Sequence, residues 1–165
     1  MNLEREKKFL IEMPPGSVLK AARKKSVSQS YLVPEEGFDT ARVRRCKDAA
    51  GGVKYTFTAK KFIGGFTREE YEREIEADEY LKLKEKAVGE ISKDRYVLPF
   101  ASHVLEIDVF PFWSDKCILE IELDDENEEY VLPDFIRVIR DVTSDAEFTN
   151  ASLAARFGKK TAVDG

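Results

Sequence analysis

Charged and apolar side chains alternate, one by one, through stretch after stretch of this chain. In 104–110, Glu106 and Asp108 oppose Leu105, Ile107 and Val109; in 118–123, Glu120 and Glu122 oppose Leu119, Ile121 and Leu123. In 41–45, Arg42 and Arg44 oppose Ala41 and Val43. In 54–60, Lys54, Thr56, Thr58 and Lys60 oppose Tyr55, Phe57 and Ala59; in 67–75, Glu70, Glu72 and Glu74 oppose Tyr71 and Ile75. A period of two is the pleat of a β-strand, whose successive side chains point to opposite faces. Such a chain is bound to a mainly β fold whose strands carry one charged and one apolar face. The opening segment obeys the same rule: Glu4, Glu6 and Lys8 project together. Its two carboxylates stand roughly 6.6 Å apart along the strand, and a cation follows.

Strands are expected at 2–12, 26–33, 40–46, 53–61, 67–75, 92–98, 104–110 and 116–123, separated by Pro- and Gly-rich breaks such as Met13-Pro14-Pro15-Gly16 and Gly64-Gly65. The period lengthens in 76–88, where Ala77, Tyr80, Leu81, Leu83, Lys84 and Ala87 suit a helix with acids first and lysines last, ended by Gly89. Short helices are also expected over 17–25, with Ser17 as N-cap, over 133–140 as a helix or helical turn, and as a pair within 144–156. A length of 165 residues fits one domain, taken as 1–157, with 158–165 as a disordered tail.

A net charge of −5, from 27 basic and 32 acidic residues, argues against DNA and membrane surfaces as partners. Anion binding must come from local clusters of bases. Cys46 and Cys117 are too few for a disulfide framework or zinc site and read as reduced thiols. His103, the lone histidine, reads as a surface or hairpin residue. No stretch is apolar enough to span a bilayer or act as a signal peptide, so a cytoplasmic location is expected.

Two architectures accommodate the alternation. One is a set of half-buried antiparallel strands with their charges in water. The other closes the strands into a barrel with the charges inward and helices covering the apolar outside. The charge pairs favour the second. Glu4/Glu6, Arg42/Arg44, Lys93/Arg95, Glu106/Asp108 and Glu120/Glu122 each carry one sign. Like charges repel by about 1 kcal/mol at 4 Å in water and about 4 kcal/mol in a partly shielded site. A counter-ion relieves that repulsion: acid pairs invite Mg²⁺ or Mn²⁺, and base pairs invite phosphate.

These residues, in this order, resemble the CYTH superfamily, the triphosphate tunnel metalloenzymes. Glu4-x-Glu6-x-Lys8 resembles its opening signature. Thr40-Ala41-Arg42-Val43-Arg44, Tyr55 to Lys60, Arg68-Glu69-Glu70-Tyr71-Glu72 and Ile91 to Tyr96 resemble its middle strands. Leu105 to Phe110, Leu119 to Leu123 and Val142 to Ala154 resemble its closing segments. Ser30 stands where Gly is frequent, and Phe148-Thr149 replaces a more usual Tyr pair.

The resemblance implies an α+β, mainly β fold: an eight-stranded antiparallel closed barrel, or tunnel, with a few flanking helices. It implies a Mg²⁺- or Mn²⁺-dependent hydrolase of tripolyphosphate or a related triphosphate, possible as monomer or homodimer. Lys8, Arg42, Arg44, Lys60, Lys93 and Arg95 would bind the phosphates, with Lys54 joining from a strand end. Glu4, Glu6, Glu106, Glu120 and Glu122 would hold metal. Lys8, Glu70, Glu72 and Asp108 would serve catalysis, the acids by orienting the bases or holding a second metal; which carboxylate acts as general base stays open. Three alternatives remain: a class IV-type adenylyl cyclase, a thiamine triphosphatase using Phe110, Phe112 and Trp113 as an aromatic slot, and a non-catalytic polyphosphate- or nucleotide-binding module.

Overall fold

The first strand, β1 (Asn2–Glu12), has partners on both sides, and that closes the sheet. The computed structural model describes residues 2–158; the expected tail, apart from Gly158, lies outside them. The other strands are β2 (Arg23–Leu32), β3 (Thr40–Asp48), β4 (Val53–Gly64), β5 (Thr67–Ile75), β6 (Gly89–Phe100), β7 (His103–Val109) and β8 (Lys116–Glu122). They bond in the order β5-β4-β3-β2-β6-β7-β8-β1, every neighbour antiparallel, and β5 returns to β1 through Asn2–Arg5. An eight-stranded closed barrel results, mainly β as expected.

A ninth strand, β9 (Val138–Asp141), replaces the helix or helical turn expected at 133–140. A turn closed by Ile136 N–H to the Pro133 carbonyl uses up the helical start. Val138 and Ile139 then run extended along Phe9–Ile11, on the side of β1 that β5 has left. Those β1 backbone groups need partners, and the β-branched pair suits the pleat.

Helices α1 (Gly16–Ala21) and α2 (Ala77–Lys84) are shorter than the periodicity suggests. Pro15, not Ser17, stands at the N-cap of α1, with no side-chain cap bond. Lys24 and Lys25 already pair with Tyr96 and Arg95, because the ladder between β2 and β6 outweighs helix propensity there. Gly89 opens β6 rather than ending α2. A 3-10 turn (Ala146–Phe148) and α3 (Asn150–Phe157) form the expected pair; Thr149 caps α3 by accepting from Ser152 N–H.

The outward apolar faces of β1, β7 and β8 carry Phe9, Ile11, Leu105, Ile107, Leu119 and Ile121. Leu19 of α1 and Tyr130, Leu132 and Ile136 of the following coil cover them. Tyr80 and Leu83 of α2 cover Val43, Tyr55 and Phe57. Ile121 is fully buried, and Ile121→Ala is expected to lower the unfolding free energy by about 2–5 kcal/mol in a urea titration. A change below about 0.5 kcal/mol would mean that this face is not core.

The inward face is not charged throughout. Two residues beyond Lys8, Gln29, Lys93, Asp108 and Glu120, on the same faces of their strands, stand Leu10, Tyr31, Ile91, Phe110 and Ile118. They form one apolar cluster with Val142 and with Leu153 and Ala154 of α3. The barrel is therefore stoppered at that end.

Candidate active site

Beside the stopper lies a cavity of about 340 Å³. Glu4, Glu6 and Lys8 enter it from β1, Arg42 from β3, Lys60 from β4 and Arg68 from β5. The β4–β5 hairpin (Phe62, Gly65, Phe66) and the 142–151 segment frame its outer side. Gly65 holds a positive φ of 56°, and a Cβ there would collide with the Glu126 carboxylate.

The cavity's charges are incompletely paired. Lys60 Nζ donates to Glu4 Oε1 at 2.8 Å and stands 3.6 Å from Glu70. Burial would raise the Glu4 carboxyl, but Lys60 and a proton shared with Glu70 hold it down at about 2. Burial and the same proton push Glu70 up to about 7. Glu6 finds no hydrogen bond or ion pair among the described residues. Burial first, then the nearby Glu120 charge, pushes its carboxyl up to about 8. Lys8 Nζ is 3.7 Å from Glu120 Oε1 and donates to the Phe148 carbonyl at 3.4 Å. Glu120 Oε1 is buried without a hydrogen-bond partner, and so is Arg42 Nε. Arg42 and Arg68 form no ion pair among the described residues.

A buried network lies behind the cavity. Lys93 Nζ donates to Asp108 Oδ2 at 2.6 Å and to Asn150 Oδ1 at 3.3 Å. Arg95 grips Asp108 through Nε at 2.8 Å and Nη2 at 2.9 Å, Glu120 at 3.0 Å and Glu106 at 2.9 Å. Burial pushes Lys93 down to about 8 despite Asp108. Burial opposes ionisation of Asp108 and Glu120, yet the facing cations keep both below the usual carboxylate range. Arg44 has only a neutral partner: its Nε and Nη2 both donate to Gln29 Oε1, at 3.0 and 2.5 Å. Burial, then Arg42 and Arg95, lowers it to about 10.

Of the anticipated phosphate ligands, Lys8, Arg42 and Lys60 line the cavity, while Arg44, Lys93 and Arg95 sit in the network behind it. Lys54 projects into solvent, 3.9 Å from Glu74. Of the anticipated metal ligands, Glu4, Glu6 and Glu120 converge. Glu106 and Glu122 instead line a separate acidic depression with Asp124, Glu128 and Glu129. Glu72 accepts from Thr58 Oγ1 at 2.8 Å on an exposed stretch of β5. Among the described residues no three Asp, Glu, His or Cys side chains are gathered closely enough to cage an ion; the lysines hold the carboxylates apart.

Arg68, Tyr31, Gln29 and Asn150 were not anticipated. Arg68 shares the parity of Glu70 and Glu72, and Gln29 and Tyr31 share one parity in β2, so alternation alone could have pointed to them. His103 stands 2.5 Å from Glu128 at the start of β7, the hairpin position expected. Cys46 and Cys117 are free thiols, the latter buried and pushed up to about 12. Phe110, Phe112 and Trp113 form no slot. Phe112 stacks on Phe157 at 4.6 Å, and Trp113 meets Phe110 edge-on at 5.7 Å. Among the described residues no helix is long and apolar enough to cross a membrane.

Comparison with known proteins agrees with the closed barrel and its charged interior. No protein-family model matches the chain. It is 35% identical over 158 residues to the inorganic triphosphatase of Acetivibrio thermocellus, covering 93% of this chain and 94% of that one. The crystal structure of the inorganic triphosphatase NE1496 superposes with a TM-score of 0.57 at 25% identity, over 93% of this chain and 95% of that one. The PH1012 protein from Pyrococcus horikoshii shares the fold, with a TM-score of 0.53 at 19% identity over 74% of this chain and 80% of its own. The fold and the interior charges define a triphosphate-tunnel type of barrel. The chain belongs to the CYTH superfamily, on the side of the inorganic triphosphatases.

Proposed function

We propose that the chain hydrolyses a phosphoanhydride bond of inorganic tripolyphosphate. The observation that carries this is the imbalance within one cavity: Arg42 and Arg68 have no carboxylate partner there, and Glu6 has no cation. A substrate rich in anionic oxygens, arriving with a divalent cation, satisfies both deficits.

Lys8, Arg42, Lys60 and Arg68 would spread over the phosphate oxygens and neutralise the charge that builds up as the bond breaks. Glu70 would hold Lys60 in place from the side away from Glu4. Asp108 acts at one remove, by fixing Lys93 and Arg95 and through them Glu120 and Asn150. The donor set fits a hard cation, all oxygen, with the Glu120 Oε1 orphan among it. Glu4, Glu6 and Glu120 would hold Mg²⁺ or Mn²⁺, which when bound neutralises phosphate charge and polarises the phosphoryl group.

The closed packing of Phe112, Trp113 and Phe157 supports inorganic tripolyphosphate over ATP or thiamine triphosphate, because it leaves a base or thiazolium ring nothing to stack on. The test is phosphate release from tripolyphosphate, ATP, GTP and thiamine triphosphate, each with Mg²⁺ and with Mn²⁺, and with cyclic AMP followed for ATP. Tripolyphosphate is expected to be the preferred substrate. Cyclic AMP formation, or no phosphate release from any substrate with either metal, would overturn the assignment.

A further inference from the structure

Gln29 is fully buried in the barrel wall, and its amide orientation is settled by its neighbours. Arginine can only donate hydrogen bonds. Two guanidinium nitrogens of Arg44 reach the same Gln29 oxygen, so that oxygen accepts and the amide nitrogen must face the other way. It does: Gln29 Nε2 donates to the Tyr31 hydroxyl oxygen at 2.8 Å. Arg42, also donor-only, lies against the same hydroxyl. Tyr31 is thus approached from two sides by groups that cannot take its proton. Its side chain is 8% exposed and lines the cavity beside Lys8 and Arg42. No described residue accepts from its O–H.

We infer that the Tyr31 hydroxyl is a phosphate-binding donor aimed into the cavity, and that Gln29 is the positioning residue that turns it there while anchoring Arg44 without neutralising it. This rests on the tripolyphosphate reading and adds a neutral donor to its cations. A carboxylate at position 29 would accept from Arg44 equally well. It would also take the tyrosine proton and cancel the Arg44 charge. An amide does neither, which gives the neutral residue at this buried position a function beyond packing.

The experiment measures tripolyphosphate affinity of the full chain in two ways: as a Kd by calorimetry in EDTA, and as KM under turnover with Mg²⁺. Tyr31→Phe keeps the ring and deletes the donor. It is expected to raise both constants about tenfold, as loss of one hydrogen bond to a charged oxygen does, with kcat within about threefold. Gln29→Glu supplies a second handle should Tyr31→Phe fold poorly. It is expected to raise KM at least as much, and adding Tyr31→Phe to it should cost less than about twofold more. Both constants within about twofold of the parent in a folded Tyr31→Phe would overturn the inference. So would a full additional tenfold loss in the double variant. The broader reading fails differently: no phosphate is released by the parent chain although tripolyphosphate still binds. If the parent neither binds nor cleaves it, both fall.

Discussion

Glu6→Gln is expected to reduce tripolyphosphate hydrolysis about 100-fold or more while making the metal-free protein more stable to heat near pH 8. The activity loss follows from removing an oxygen donor whose charge offsets a bound cation; each 1.36 kcal/mol of lost transition-state stabilisation is a factor of about ten. The stability gain follows from the resting electrostatics. The Glu6 carboxyl titrates at about 8 in the fold against 4.5 in the unfolded chain. The fold therefore favours the protonated form, and ionisation counts against folding increasingly as pH rises from about 4.5 to about 8. Glutamine carries no such penalty. In EDTA the variant should match the parent near pH 4 and exceed it near pH 8. A variant that keeps its activity, or one that is less stable at both pH values, would remove Glu6 from the metal-binding role.

The second large effect is structural. Arg95→Met leaves Asp108 and Glu120 buried with much of their counter-charge gone, and Glu106 without its partner. Removing one member of a buried ionic cluster is expected to cost about 3–5 kcal/mol. In a chain of this size that lowers the melting temperature by roughly 10 °C. Differential scanning calorimetry checks it. Lys54→Met, at an exposed pair, should shift the melting temperature by no more than about 1 °C. Equal shifts in the two variants would mean that Arg95 is no more embedded than a surface residue.

Strand alternation made the barrel legible, because parity alone states which face of each strand a side chain joins. Glu4, Glu6, Lys8, Arg42 and Lys60 were readable for that reason. Parity is silent about depth along the barrel axis, which the pairing registers set. Arg44, Lys93 and Arg95 share a face with the cavity residues yet lie behind them, and Lys54 shares it yet ends in solvent. The same silence hid the stopper: Leu10, Ile91 and Phe110 read as ordinary apolar ends of polar strands until the registers brought them level. Gln29 and Tyr31 were overlooked because neither is charged and the reading followed charge. The ninth strand was missed because Val138–Asp141 is too short to show a period, and the demand for it comes from a vacant edge of β1 far away in sequence.

The stopper makes the cavity a cul-de-sac. A phosphate chain cannot thread through, so it must enter end-first past the β4–β5 hairpin, and the cleaved fragments must back out the way they came. Departing pyrophosphate and incoming tripolyphosphate then contend for one doorway.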